Sequence, residues 1–494
     1  MSINPEPAVK AAHNAILQSF AWVALYLLIV AVIQLSIPYP LDDDTAYHFS
    51  VARLIREQGF LQGFPWTRFS WQFDHYADKE LLFHLLFVPF TPLGFNAASR
   101  IVGAIGGAAI LSAIYVVLRS EKVRFAGVWA LLPLGTTIFL YRFSQVRPHL
   151  LSIALAILFI WAYSRRRLVL LTVVSFLYPP TYVAFWQIPL LMAVAAEGGR
   201  LLATERRFAW QPPLLVVIGL AGGIAFHPNA LNLLQMNWIH MRDILMRNAW
   251  GGHVEFNMGE EFEPLSPLQW LEYLLPTAAL AGTAAWYSWR HRKTATLETA
   301  FALATMIFCL LTMRTNRFLE YFVPLSVLAF ALAAGRGGKK WLLPLLLAVS
   351  FLYTLATGLP ELKYLVSREE RTWQMAPSTV AEFGRLVPQQ AAVFTCGWEY
   401  TGSLLLNLPE RSFMVALDPT LMYKRDQSLY DLWHETLSAA PPEAAATVRR
   451  EFASRYAICL DHPTLHPFFN TLYADRSVRV LYSDGKWVLF DLGD

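Results

Sequence analysis

The feature that most constrains this chain is a series of apolar stretches, each near the ~20 residues an α-helix needs to cross a bilayer. They run at about 17–38, 98–118, 126–141, 148–164, 168–178, 181–196, 213–226, 268–288, 297–313, 319–335 and 341–358. Of the 494 residues, 55% are hydrophobic and 15% charged, against ~25% charged in an ordinary soluble domain. A mainly α-helical, polytopic membrane protein follows. The run Leu17–Pro38 is longer than a signal-peptide core and no small-residue cleavage site ends it, so it reads as a span.

Basic residues orient the map. Arg119, Lys122 and Arg124 fill one loop, and Arg165, Arg166 and Arg167 the next. Then come Arg200, Arg206 and Arg207; Arg290, Arg292 and Lys293; and Arg336, Lys339 and Lys340. All fall on one side if the N-terminus is cytoplasmic. The stretch 168–196 carries Pro179–Pro180 and is flanked by basic loops at both ends, so it makes an even number of crossings or a re-entrant hairpin. The expectation is about eleven spans, with the N-terminus inside and the C-terminus outside.

Residues 1–360 then form the membrane domain, with outer loops at 39–97 and 227–267, the second holding an interfacial helix in "NALNLLQMNWIHMRDILMRN". Residues 361–494 turn polar and read as a small α/β domain on the outer side. In it "AAVFTC", "SFMVAL" and "YAICL" are short strands, "PPEAAATVRREFASR" is a helix, and "VRVLYSDGKWVLFDL" is a hairpin around Asp484–Gly485. There is no GxGxxG and no P-loop, which favours a binding or scaffolding role over a nucleotide site. Cys309, Cys396 and Cys459 show no zinc spacing. A Cys396–Cys459 disulfide and two buried thiols are both open. The formal net charge of +4 is small, and no nucleic-acid partner is expected.

Polar clusters gather on the outer face. Asp42, Asp43 and Asp44 precede "TAYHFSVARLIREQG", whose Tyr47, Val51, Leu54 and Ile55 recur at helical spacing. This predicts an amphipathic helix lying on the membrane, stopped at Gly59. Capping by Asp44 accounts for one carboxylate but not three. The same loop continues "FDHYADKELLFHLLFVPF", bringing Asp78, Lys79, Glu80 and His84 together, with Glu80 and His84 on one helical face. A solvated, salt-bridged loop is the plainer reading. Arg142, Arg147 and His149 follow in "YRFSQVRPHL", His227 in "AFHPNAL", and Arg314, Arg317 and Glu320 in "MRTNRFLEYF". His149 and His227 taken singly read as satisfied core groups. Arg314 and Arg317 sit at an outer boundary against the positive-inside bias, where guanidiniums suit a lipid phosphate.

A first span, an acidic pair opening an outer helix, and a second acidic–Lys motif entering the next span together resemble the GT-C class of membrane glycosyltransferases. Asp43-Asp44-Thr45-Ala46-Tyr47 is similar to the Asp-Glu-x-x-aromatic motif of protein O-mannosyltransferases and lipid A aminoarabinose transferases, with Asp in place of Glu. Asp78-Lys79-Glu80-Leu81-Leu82 resembles the Glu-Lys-Pro-Pro-Leu motif without its prolines. The resemblance covers about residues 15–358. It implies inverting transfer of a sugar from a polyprenyl-phosphate donor to a lipid, glycan or protein acceptor at the outer face of an inner membrane.

On that reading Asp43 is the general base and Asp44 a second catalytic carboxylate, and the pair is also the candidate ligand set for a divalent magnesium or manganese ion. Tyr47, His48, Asp78, Lys79, Glu80, His84, Arg142, Arg147, His149, His227, Arg314, Arg317 and Glu320 line the donor and acceptor. Base catalysis needs a carboxylate at the acceptor hydroxyl, and departure of the phosphate needs cations. The alternatives are a transporter or flippase, which would carry charges at the bilayer midplane and repeated halves, and a non-catalytic subunit for lipid-linked glycan assembly.

Overall fold

The computed structural model describes residues 6–37, 40–203, 208–246, 260–337 and 374–493, with short pieces between 345 and 367. Arg206, Arg207, Lys339, Lys340 and residues 247–259 lie outside the described residues, as does most of the expected span 341–358. The helices used below are α1 (Glu6–Ser36), α2 (Asp43–Gln58), α3 (Leu81–Phe87), α4 (Phe95–Ser120), α5 (Thr137–Ser144), α6 (His149–Ser164) and α7 (Leu168–Leu177). After them come α8 (Gln187–Leu202), α9 (Gln211–Ala225), α10 (Ala230–Ile239), α11 (Leu275–Arg290), α12 (Thr296–Arg314), α13 (Leu319–Gly337) and α14 (Thr401–Asn407).

Along α1 the side chains of Ile16, Leu17, Phe20, Leu28, Val32 and Leu35 are exposed, as on a helix that faces lipid. Its opposite side packs on α4. Beyond α4, the Tyr26 hydroxyl donates to the Gly127 carbonyl (2.9 Å) and the Gln34 amide to that of Ser144 (3.1 Å). Among the described residues four helical segments are long and apolar enough to cross a membrane: His13–Ser36, Phe95–Ser120, Thr296–Arg314 and Asn316–Gly335. The number rises to six if two bent pairs, at 95° and 113°, each count as one crossing.

Eleven spans were expected. Among the described residues several of these are shorter helices, because proline and polar residues cut the apolar runs. Pro148 precedes α6 and Pro179–Pro180 follow α7, leaving helices of 16 and 10 residues. At 1.5 Å per residue these reach only about 24 and 15 Å, short of a ~30 Å hydrocarbon core. Gly219 and Gly223 bring α9 onto the backbone of α7, where a Cβ would collide with the carbonyls of Thr172 and Phe176.

After residue 374 a four-stranded sheet forms in the order β1-β2-β4-β3, with β1 (Val393–Thr395), β2 (Tyr456–Leu460), β3 (Arg479–Ser483) and β4 (Trp487–Asp491). The β1–β2 pairing is parallel and the other two are antiparallel. A disulfide joins Cys396 to Cys459, with Cα atoms 5.1 Å apart. The segment "SFMVAL" is not a strand. It makes single bridges, Thr67 to Phe413 and Ala392 to Ser412, so one of its contacts is to the outer loop before α3.

That contact belongs to a larger interface. Tyr47, Val51, Leu54 and Ile55, the apolar stripe of α2, share one core with Val393, Leu404, Leu405, Ile458 and Trp487. Phe49 and Ala52 on another side of α2 pack against Phe83 and Phe87. Helix α2 therefore does not lie on the membrane as its periodicity suggested. It is clamped between α3 and residues 393–489, and its stripe is covered by protein.

Candidate active site

The three aspartates at the start of α2 have three different tasks. Asp42 is the N-cap, in extended geometry (φ −146°), and its Oδ1 accepts from the Thr45 N–H (2.8 Å) and the Thr45 hydroxyl (2.7 Å). The cap is therefore Asp42 and not Asp44. Asp43 is buried, and its two oxygens accept from the N–H groups of Gly402 (2.6 Å) and Ser403 (2.7 Å) at the start of α14. A Cβ on Gly402 would overlap both the carboxylate and the backbone of Asp43, so glycine is required there. Burial pushes the Asp43 carboxyl well up, with the Ser403 and Gly402 amides opposing it.

Asp44 points the other way, into a chain of alternating charges. Arg147 bonds Asp42 (3.0 Å), Asp44 (2.9 Å) and Glu261 (3.0 Å). Glu261 in turn pairs with Arg142 (2.8 Å) and Arg317 (3.1 Å), and Arg142 closes on Glu320 through its Nε (2.7 Å) and Nη2. Arg317 also lies over the rings of Phe262 and Tyr182. His149 supports the chain from behind through the Arg142 carbonyl (3.0 Å). Asp44 is the most open of these carboxylates, with 28% of its side chain exposed against 4% for Asp42 and 20% for Glu261. Burial pushes Asp44 up to about 6, with Arg147 pulling down and Asp42, Glu261 and Glu80 pushing further up. Burial alone would raise Glu261 too, yet Arg317, Arg142 and Arg147 hold it well below the usual carboxylate range.

A second cluster lies beside the first. His84 places Nδ1 on both oxygens of Asp78 (2.7 and 2.9 Å), and its Nε2 faces His48 Nδ1 at 2.8 Å. Glu80 Oε2 is 3.9 Å from His48 Nδ1. Tyr47 stands edge-on to both imidazoles, with ring centres 5.7 and 6.2 Å away. His227 Nε2 contacts the Asp78 carbonyl (2.8 Å), tying the loop before α10 to this turn. Lys79 is half-buried. Burial first, then the neighbouring His84, keeps His48 well below the ordinary histidine value.

The structure therefore joins Asp44, Arg142, Arg147, His149, Arg317 and Glu320 in one network, and Tyr47, His48, Asp78, Glu80, His84 and His227 in a neighbouring one. Three features of the geometry bear on the expected roles. Asp43 does not present a free carboxylate, because both its oxygens are held by peptide N–H groups. Arg314 and Arg317 do not share a helical face, because Thr315 between them is extended (φ −151°, ψ 131°), and Arg314 is exposed at the end of α12. Glu320 takes Arg142 rather than Arg317 as its close partner.

A divalent ion on Asp43 and Asp44 would compete with the partners these carboxylates already hold. Each oxygen of Asp43 already accepts a peptide N–H, and Asp44 shares the Arg147 guanidinium with Asp42 and Glu261. Glu261 and Asp42 were missed as network members. The run "GEEFEP" was an available sign of the first, since three acids in an outer loop need cations nearby.

The sequence matches no known family model and no curated protein. Solved structures do resemble it. The archaeal oligosaccharyltransferase AglB from Archaeoglobus fulgidus, in complex with an inhibitory peptide and a dolichol-phosphate, superposes with TM-score 0.64 at 13% identity, covering 89% of this chain and 69% of that one. The fold is that of the GT-C class. The mycobacterial arabinofuranosyltransferase AftD gives TM-score 0.55 at 12% identity over 96% of this chain and 40% of its own. ArnT from Cupriavidus metallidurans in the apo state gives 0.55 at 11% identity, covering 97% and 99%. At these identities the likeness is one of fold.

Proposed function

We propose that this GT-C-fold chain is an inverting membrane glycosyltransferase, hexosyl or pentosyl, that moves a sugar from a polyprenyl-phosphate donor to a lipid, glycan or protein acceptor. The reaction runs at the outer face of an inner membrane, with residues 374–493 on that same side. The observation that carries the reading is the network itself: an open carboxylate of raised proton affinity, Asp44, joined through Arg147 to a cluster of guanidiniums at the membrane boundary.

In this mechanism Asp44 accepts the proton of the acceptor hydroxyl as its oxygen attacks the anomeric carbon from the face opposite the leaving group. The carbon–oxygen bond to the phosphate breaks, and the polyprenyl phosphate leaves with the bonding pair. Arg317 and Arg147 donate from N–H groups not engaged by Glu261 to the leaving oxygens, the charge-assisted contact that planar guanidinium forks favour. Donor phosphate arriving on these arginines weakens their pull on Asp44, so the base becomes stronger once the donor is seated. Asp43 has a positioning role: it fixes the start of α2 against α14 and so aims Asp44. The archaeal relative in complex with a dolichol-phosphate and a peptide supports a lipid-phosphate donor for this fold.

Mass spectrometry of envelope glycolipids and glycoproteins from a deletion strain tests the reading. One glycoform should lose a sugar, regain it with the wild-type chain, and stay deficient with Asp44→Asn. Full restoration by Asp44→Asn would overturn the assignment.

A further inference from the structure

We infer that His48, Glu80 and His84 form a binding site for a borderline transition-metal dication such as zinc or cobalt. The inference goes beyond the transfer reaction and does not depend on it. The three ligand atoms lie within 4.8 Å of one another, and all three residues are buried. His48 comes from the middle of α2, Glu80 from the N-cap position of α3, and His84 from its first turn.

The direction of the lone pairs carries the argument. Asp78 grips His84 Nδ1 with both carboxylate oxygens, which fixes the hydrogen on that nitrogen and leaves Nε2 bare. Nε2 faces His48 Nδ1 at 2.8 Å, so a single hydrogen lies between two ring nitrogens. A dication can take that hydrogen's place once His48 shifts its hydrogen to Nε2, a change of tautomer with no net release of protons. Metal–nitrogen bonds of ~2.0–2.1 Å at a tetrahedral angle require the nitrogens to be about 3.3 Å apart. The rings need to separate by only about half an ångström, and Glu80 swings in from 3.9 Å as the third ligand.

A carboxylate behind a ligating imidazole is the outer-shell arrangement that orients such ligands, and Asp78 supplies it. Two imidazoles and one carboxylate favour zinc-like ions over magnesium, whose ligands are all oxygen. The ion would bolt α2 to α3, close to Asp44, whose proton affinity already responds to Glu80.

The experiment uses the full chain purified in detergent. Metal content is measured by elemental mass spectrometry, and chelator-stripped protein is then titrated with cobalt(II) alone. The expected result is one cobalt per chain, with visible ligand-field bands and a higher melting temperature on loading. His84→Gln should abolish the bands. Asp78→Asn, which keeps all three ligands, should weaken cobalt binding about 10- to 100-fold. If His84→Gln does not fold, Glu80→Gln carries the test, since it leaves the imidazole pair intact and should alter the bands. Absence of stoichiometric cobalt in the wild-type chain, or bands unchanged in both Glu80→Gln and Asp78→Asn, would overturn the site and leave a metal-free His48–His84–Asp78 hydrogen-bond chain.

Discussion

Asp43→Asn separates a positioning carboxylate from a catalytic one. In the folded chain Asp43 accepts two buried peptide N–H groups, from Gly402 (2.6 Å) and Ser403 (2.7 Å). Hydrogen bonds to a charged group contribute about 1.5–3 kcal/mol each, and a buried N–H left without a partner costs about 1–3 kcal/mol. Asparagine keeps one accepting oxygen and turns an NH2 toward the second amide, donor against donor. The loss is one charged bond plus one stranded N–H, about 2.5–6 kcal/mol of docking between α2 and α14. Differential scanning fluorimetry in detergent should record a fall in apparent Tm of several degrees. Limited proteolysis should cut more readily between the membrane helices and residues 374–493. Turnover of the protein that remains folded, measured at low temperature, should stay within about tenfold of wild type, far from the 10²- to 10⁴-fold cost of deleting a general base. An unchanged Tm together with collapsed turnover would refute this reasoning and return the base to Asp43.

Asp44→Asn should do the reverse, lowering kcat by about 10²- to 10⁴-fold with an unchanged Tm and intact donor binding. Because Asp44 sits at about 6 and acts as the ionised form, kcat/KM should fall as pH drops through that value. Arg147→Ala removes the cation that pulls it down, so the acid limb should move to higher pH; a limb that stays put would disconnect Arg147 from the base. Arg317→Ala should raise the KM for donor more than it lowers the melting temperature, as read from donor titrations beside a melt. Alkylation after unfolding without reductant should label Cys309 alone, and all three cysteines after reduction. Reduction should also cost about 4 kcal/mol of stability for a 63-residue separation.

Much of the fold was legible because its signals are local. The Asp484–Gly485 turn announces the β3–β4 hairpin, and Gly485 does adopt a positive φ of 82°. The beginning and end of α2 follow from its aspartates and Gly59. What the residues of α2 contact was not legible. Periodicity says that Tyr47, Val51, Leu54 and Ile55 are buried, but not whether lipid or protein buries them. The three aspartates were indistinguishable for the same reason. Their roles depend on Arg147, about a hundred positions away, and on Gly402 and Ser403, 359 and 360 positions from Asp43. Apolar runs mark the hydrophobic segments but not the helix lengths, which Pro148 and Pro179–Pro180 set. An i to i+3 pair such as Arg314 and Arg317 shares a face only if the chain between stays helical, and Thr315 is extended.

The central claim is that Asp44 drives sugar transfer from a lipid phosphate, and one reaction tests it most directly. Wild-type and Asp44→Asn chains in lipid nanodiscs are given polyprenyl-phosphate-linked sugars and an envelope extract, and released polyprenyl phosphate is counted by mass spectrometry. The account predicts release by the wild-type chain that depends on the extract and is nearly absent with Asp44→Asn. Equal release by both chains, or none from any donor sugar with the wild-type chain, would contradict it.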